Sequence, residues 1–191
     1  LSPASCNKWW MDEILKTTEY QEEQAGITKL GENTVFYLPY LMGERSPHND
    51  PEARAAFIGM SMDTTREEMT QAVLEGVAFG LRDSLEVARS IEVDPKRTKI
   101  CGGGVKSPLW RKIIANVMNM KVDIIESEEG PGYGAAILAA VGCGVYPSVE
   151  EAAKKLVKVV ATEEPDPELV AKYEERYRKF RKFYPALKGM F

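Results

Sequence analysis

The sequence predicts an α/β domain, and three stretches carry that expectation. The short β-branched run from Thr98 to Cys101 leads into Gly102-Gly103-Gly104. Ser107-Pro108 then opens a helical pattern of Leu109, Trp110, Ile113, Ile114, Val117 and Met118. Thr65 with Glu68 forms a capping-box signature, and Met69, Val73, Val77, Leu81, Leu85 and Ala88 follow at three- and four-residue spacing. That pattern places one apolar stripe along a helix to about Arg89. Thr34 to Pro39 is β-branched and aromatic, a short strand that Pro39 ends or puts at a sheet edge.

Composition narrows the function classes. The 191 residues are 44% hydrophobic and 28% charged, the balance of one globular domain or of one large piece of a bigger protein. A net charge of −4 with dispersed basic residues leaves no electrostatic footprint for nucleic acid, so small-molecule chemistry is the default. Cys6, Cys101 and Cys143 lie far apart without metal-ligand spacing, which suits buried free thiols in a reducing cytoplasm. No apolar run approaches the roughly 18 residues of a membrane span, and no signal peptide opens the sequence. A cytoplasmic protein is expected. The sequence begins at Leu1 in mid-pattern and shows three recognisable strands, thin for a closed sheet, so a fragment is expected too.

In chain order, Asn7 to Lys16 carries Trp9, Trp10, Met11, Ile14 and Leu15, a short amphipathic helix. The preceding Ser2-Pro3-Ala4-Ser5-Cys6 is built of small residues, where another backbone can pack tightly or a flat ligand can come close. Thr18 to Gly31 is polar and acidic, a helical turn and a loop. Gly43 to Pro51 is a structured turn with two prolines. His48, the single histidine, needs a partner acid for catalysis, which the sequence does not reveal. Glu44 and Arg45 read as an ion pair pinning that loop, with ligand orientation as the alternative. Gly76 and Gly80 each weaken the long helix by about 1 kcal/mol relative to Ala, which implies close approach of another element.

After the break at Asp94-Pro95 and the Thr98 strand, Lys121 to Glu126 forms another strand. Gly130-Pro131-Gly132-Tyr133-Gly134 leads into the small-residue helix Ala135 to Ala140, expected to pack close to the sheet or the glycine turn. Ser148 with Glu151 is a second capping-box signature, for a helix ending near Val159. Asp166-Pro167 opens the last helix, which buries Leu169, Val170, Tyr173, Tyr177 and Phe180. Lys172, Arg176, Arg178, Lys179, Arg181 and Lys182 form its solvated face. Strand, glycine turn and helix is a ligand-binding order, because free backbone N–H groups at a helix start can hold a phosphate or ribose. A glycine run alone is as often a bare turn.

Specific residues then carry a resemblance. Ala55, Phe57, Gly59 and Met60, followed by Glu68, Met69, Ala72, Val73, Leu74 and Glu75, fit the second signature of the FGGY carbohydrate kinases at every defined position. Phe36 to His48, Leu74 to Phe79, the glycine turn with Ser107 and Trp110, and Tyr184 to Lys188 are similar to segments of its xylulokinase branch. The resemblance covers essentially the whole chain. It implies an actin-like (ribonuclease H-like) ATPase domain, incomplete here, with a short mixed sheet flanked by helices. The chain would be the C-terminal part of a two-domain sugar kinase. Within it, 1–50 holds a helix, strand and loop, 51–165 the α/β nucleotide-binding core, and 166–191 the C-terminal helix and tail.

The resemblance also implies a nucleotide site. Gly103, Gly104, Val105 and Ser107 would form one wall, and Ala4, Ser5, Cys6 and Lys8 before Trp9 the other, which moves the small-residue segment from packing towards binding. Two departures touch it: Val105 stands where the family usually has Ala, and Lys112 where it often has Gln. No carboxylate matches the family's catalytic Asp, so the base, the Mg²⁺ ligands and the sugar pocket are expected upstream. The implied parent reaction moves the γ-phosphoryl group of ATP to D-xylulose at O5. Rhamnulose, gluconate or glycerol are alternative substrates, and a non-catalytic actin-like nucleotide-binding module or a structural domain are alternatives of another class. ATP with Mg²⁺, a sugar and an N-terminal kinase domain are the implied partners, a homodimer is left open, and neither nucleic acid nor membrane is expected.

Overall fold

The capping box at Thr65 starts the helix around which the molecule packs. The computed structural model describes residues 3–127 and 130–191, with the backbone alone for Pro3 and Val105. The chain runs α1 (Pro3–Trp9), continued by a π-helical turn over Trp10–Leu15, then α2 (Tyr20–Ala25), β1 (Phe36–Leu38), β2 (Ala56–Ile58) and α3 (Arg66–Ser90). It proceeds through β3 (Arg97–Ile100), a 3-10 turn over Gly103–Lys106, α4 (Pro108–Met118), β4 (Lys121–Ile125) and α5 (Gly130–Gly142). α6 (Val149–Leu156), β5 (Val159–Glu163), α7 (Pro167–Phe180) and α8 (Phe183–Leu187) complete it. The strands form an antiparallel pair, β1 with β2, and a mixed sheet in the order β3-β4-β5, parallel then antiparallel. This is the α/β class that was expected.

Thr65 Oγ1 accepts the Glu68 N–H at 3.3 Å, and Glu68 Oε2 accepts the Thr65 N–H at 2.9 Å, so both orphan donors of the first turn are satisfied. The burial along α3 differs from the expected single stripe: every residue from Thr70 to Gly80 is buried. Elements pack on more than one side of this helix, so its polar residues go inside with partners. Glu75 Oε1 accepts from Gln71 Nε2 at 2.7 Å and from the Tyr173 hydroxyl at 2.9 Å, while Oε2 pairs with Arg176 Nη2 at 2.7 Å. Arg176 also donates to the Val35 carbonyl at 3.1 Å. Arg176 is therefore not on a solvated face, because a buried carboxylate is tolerated only with a charge partner and hydrogen bonds. Gly76 is the close approach that its type implies, since a Cβ there would lie 2.1 Å from the Tyr37 carbonyl oxygen of β1.

One hydrophobic core runs from Cys6 and Trp10 through β1, α3 and α4 to Tyr173, Tyr177, Phe180 and Tyr184, so the three sequence segments share it. The other elements depart from expectation in ways that packing explains. α1 begins at Pro3, so Pro3, Ala4, Ser5 and Cys6 lie inside the helix and not ahead of it. β3 is exposed or half-exposed along its length, not buried, because it pairs on one edge only and carries Arg97 and Lys99. α6 ends at Leu156, and the residues beyond form β5 against β4. α5 buries only Ile137 among its residues. Gly134 faces open space, while at Gly130 a Cβ would lie 2.3 Å from Cys101 Sγ. Of the cysteines only Cys6 is buried; Cys101 sits at the exit of an edge strand and Cys143 just past the exposed α5. Among the described residues no helix is long and apolar enough to cross a membrane.

Candidate functional site

A cavity of about 460 Å³ opens where α1, α2 and the glycine turn meet, within the range of small-molecule sites. Ala4, Ser5, Asn7 and Lys8 of α1 line one side, and Tyr20, Gln21 and Gln24 of α2 another. Gly103, Gly104, Lys106, Ser107 and Trp110 close it. The glycine wall follows from local sequence. Gly102 takes φ +90°, a conformation open to glycine, to turn the chain out of β3. Gly103 has nothing within 4 Å of where a Cβ would stand, whereas a Cβ on Gly104 would meet the Trp110 ring at 2.8 Å. The glycines thus serve two ends, free space at Gly103 and contact with an indole at Gly104.

Ser107 caps α4 by accepting the Trp110 N–H at 3.1 Å, and its hydroxyl donates to Gln24 Oε1 at 2.6 Å. Trp110 Nε1 donates to the Leu74 carbonyl at 3.0 Å, which fixes the indole against α3. The start of α4 therefore faces the cavity with its cap already held by α2. Among the described residues no carboxylate lines the cavity, and its polar lining comes from amide, hydroxyl and ammonium groups.

The structure brings together six of the eight residues implied as nucleotide contacts: Ala4, Ser5, Lys8, Gly103, Gly104 and Ser107. Lys8 also pairs with Asp12. Cys6 is elsewhere. It lines a neighbouring cavity of about 440 Å³ with Pro39, Glu44 and Arg45, and its thiol donates to the Pro39 carbonyl at 3.3 Å. Burial pushes that thiol up to about 11, so it is a protonated core group. The side chain of Val105 lies outside the described residues. Asn7, Tyr20, Gln21, Gln24, Lys106 and Trp110 are further lining residues. Trp110 could be marked from the glycine-turn resemblance, but α2 sits in a polar stretch with no motif to mark it.

The Gly43 to Pro51 loop forms a different structure. Glu44 and Asp50 are bridged through their backbones, and the buried Glu44 carboxylate accepts the Ser46 N–H at 2.6 Å. The loop is thus pinned by this side-chain-to-backbone bond, while Arg45 is exposed. His48 stacks on Tyr184 with ring centroids 3.8 Å apart, and its Nε2 lies 3.2 Å from the Tyr40 hydroxyl. A carboxylate, Asp83, stands 4.0 Å away, beyond hydrogen-bond reach. Burial first, then the charge of Lys188, holds His48 below its usual range. Among the described residues no group of three or more His, Cys, Asp or Glu could hold a metal ion.

Fold and cavity together describe an α/β domain with a cavity of small-molecule size, and comparison gives that class its family. Residues 4–143 match the C-terminal domain of the FGGY family of carbohydrate kinases, and the chain belongs to that family. Its fold is accordingly the actin-like ATPase fold of these kinases. It is 35% identical over 184 residues to the xylulose kinase of Staphylococcus epidermidis, covering 95% of this chain and 37% of that protein. The crystal structure of a xyloylose (xylulose) kinase from Brucella ovis superimposes with a TM-score of 0.87 at 33% identity, over 98% of this chain and 39% of that one. An L-xylulose/3-keto-L-gulonate kinase of Escherichia coli is 31% identical over 171 residues, 90% of this chain and 34% of that protein. The chain thus spans well under half the length of these relatives.

Proposed function

We propose that this chain is the adenosine-binding part of an ATP-dependent sugar kinase, with D-xylulose as the sugar and O5 as the phosphorylated atom. The observation that carries the nucleotide reading is the cavity of about 460 Å³ between α1, α2 and the glycine turn, which gathers six residues of two distant segments. The sugar rests on the relatives named xylulose kinase. A ketosugar or keto-acid other than D-xylulose is the second reading, favoured by the relative named for L-xylulose and 3-keto-L-gulonate.

Phosphoryl transfer depends chiefly on positioning and on stabilisation of charge at the phosphates. In this reading Gly103 and Gly104 leave room for the nucleoside beside Trp110, and Ser107 and the start of α4 hold its polar edge. The residues that receive the sugar, take its hydroxyl proton and bind Mg²⁺ belong to the part of the relatives that this chain does not match. The described residues offer no clustered ligands for such an ion.

Gly103→Val tests the site, because a Cβ there would enter open space. Titration calorimetry with ATP is expected to show affinity reduced at least about tenfold, the effect of losing roughly one good contact, with the melting temperature of the free protein unchanged. Equal affinity in both proteins would remove the nucleotide from this cavity.

A further inference from the structure

A cavity of about 350 Å³ lies between the Gly43 to Pro51 loop, α3 and the C-terminal helices, and it shares no lining residue with the cavity at the glycine turn. Its size is within the range of small-molecule sites. Asp83 stands in its wall with only half of its carboxylate used. Oδ1 accepts the Tyr177 hydroxyl at 2.6 Å, whereas Oδ2 accepts from no group among the described residues. The Asp83 side chain is 7% exposed, and Oδ2 is not one of the sealed-off polar atoms of the fold, so this oxygen opens on the cavity. A carboxylate taken out of water without a full set of donors holds free energy that a ligand can return.

Two further groups converge on that oxygen. His48 Nε2 lies 4.0 Å from Asp83 Oδ2 and 3.2 Å from the Tyr40 hydroxyl, and both residues line the same cavity. The nearby carboxylate favours the tautomer with the proton on Nε2, which then donates to the Tyr40 oxygen and leaves the Tyr40 proton free to donate. An acceptor and a donor thus stand side by side. A single hydroxyl group, which donates and accepts at one atom, satisfies both, since an oxygen about 2.8 Å from each of two atoms 4.0 Å apart is a normal hydrogen-bond geometry. The charges around the cavity speak against an ion. Glu86 is engaged by Arg82 and Arg89, which leaves Asp83 to repel an anion and Arg181 to repel a cation.

We propose that this cavity is a binding site for a small uncharged polyol or sugar, one hydroxyl of which donates to Asp83 Oδ2 and accepts from the Tyr40–His48 pair. The proposal does not rest on the nucleotide reading of the other cavity.

His48 is the single histidine of the 191 residues, so its ring gives one unambiguous signal in a proton–carbon correlation spectrum. The test follows that signal at pH 7.5 while the chain is titrated with xylitol, with propylammonium, with inorganic phosphate and with glycine as a zwitterion. Xylitol is expected to shift it along a saturating curve with a dissociation constant on the order of 1 mM, and the three charged probes are expected to bind at least about tenfold more weakly. Asp83→Asn keeps an oxygen for Tyr177 and puts an amide nitrogen in place of Oδ2, and it should weaken xylitol at least about tenfold, the loss of one hydrogen bond to a charged acceptor. Tyr40→Phe keeps the ring and removes the donor, and a loss of about three- to tenfold is expected. The comparison of the four probes needs no variant, so it decides the ligand class even if one of them fails to fold. No saturation with xylitol, tighter binding of any charged probe, or unchanged xylitol affinity in folded Asp83→Asn overturns the proposal.

Discussion

Asp83 is a carboxylate that the fold buries against aromatic rings. Its Oδ1 accepts the Tyr177 hydroxyl at 2.6 Å, and its side chain is 7% exposed. Burial pushes it up from 3.8 to about 6, against the lowering effects of the Tyr177 bond and the Arg181 charge. A folded-state value above the unfolded one means that, between about pH 4 and pH 6, the native protein holds a proton the unfolded chain has released. Stability therefore falls as pH rises through that window. Asp83→Asn keeps an oxygen for Tyr177 and removes the ionisation. The variant is expected to exceed the wild type in stability at pH 7 by up to about 3 kcal/mol and to match it near pH 4. Urea unfolding at the two pH values checks this, and an equal gap at both would assign the effect to packing. The Glu75–Arg176 pair shows how single residues escape sequence reading: spacing puts Arg176 among five other basic residues of the last helix, and only the fold reveals that Glu75 draws it inside.

At the scale of elements, capped helices were the most legible. Thr65, Ser107 and Asp166 each cap the helix their type announces, because a side-chain oxygen answering an orphan N–H is a local event. β2 and β5 were not legible. β2 has three half-buried residues, and β5 is exposed at four of five positions, so neither shows the alternation that marks a strand with one buried face. Gly76 is a point of close approach between α3 and β1, and it separates propensity from packing. Ala at an interior helix position gains about 1 kcal/mol over Gly. Here its Cβ would lie 2.1 Å from the Tyr37 carbonyl oxygen and 3.0 Å from the carbonyl carbon, backbone atoms that cannot rotate away. Overpacking of this kind costs about 1–3 kcal/mol or more, so Gly76→Ala should be destabilising on balance. Each kcal/mol lowers the melting temperature by roughly 2–4 °C in a chain of this size, which thermal unfolding by circular dichroism resolves. A variant as stable as the wild type would show that β1 shifts without cost.

At the scale of the whole molecule, the cavity is a tertiary object, closed by residues between Ala4 and Gln24 on one side and between Gly103 and Trp110 on the other. Its glycine wall was legible through strand–turn–helix order and its α1 wall through family resemblance. The α2 wall was not, since the role of Gln24 comes from a bond to Ser107 across the fold. Because the lining belongs to segments that share one core, a ligand seated there binds the native state and not the unfolded chain. At a hundred times its dissociation constant it should add about 2.7 kcal/mol of stability, seen as a higher melting temperature. The identity of effective ligands then bears on what the chain holds. Lys8, the α1 lysine at the cavity, is already paired with Asp12. Adenosine, ADP and ATP should therefore bind within about tenfold of one another, or 1.4 kcal/mol, and shift the melting temperature alike when each is supplied at the same multiple of its dissociation constant. Affinity that climbs a hundredfold or more from adenosine to ATP would mean instead that the start of α4 and its neighbouring lysines grip the phosphates. The cavity would then be a phosphate site with a base attached, and the division of labour proposed between this chain and the rest of the kinase would have to be redrawn.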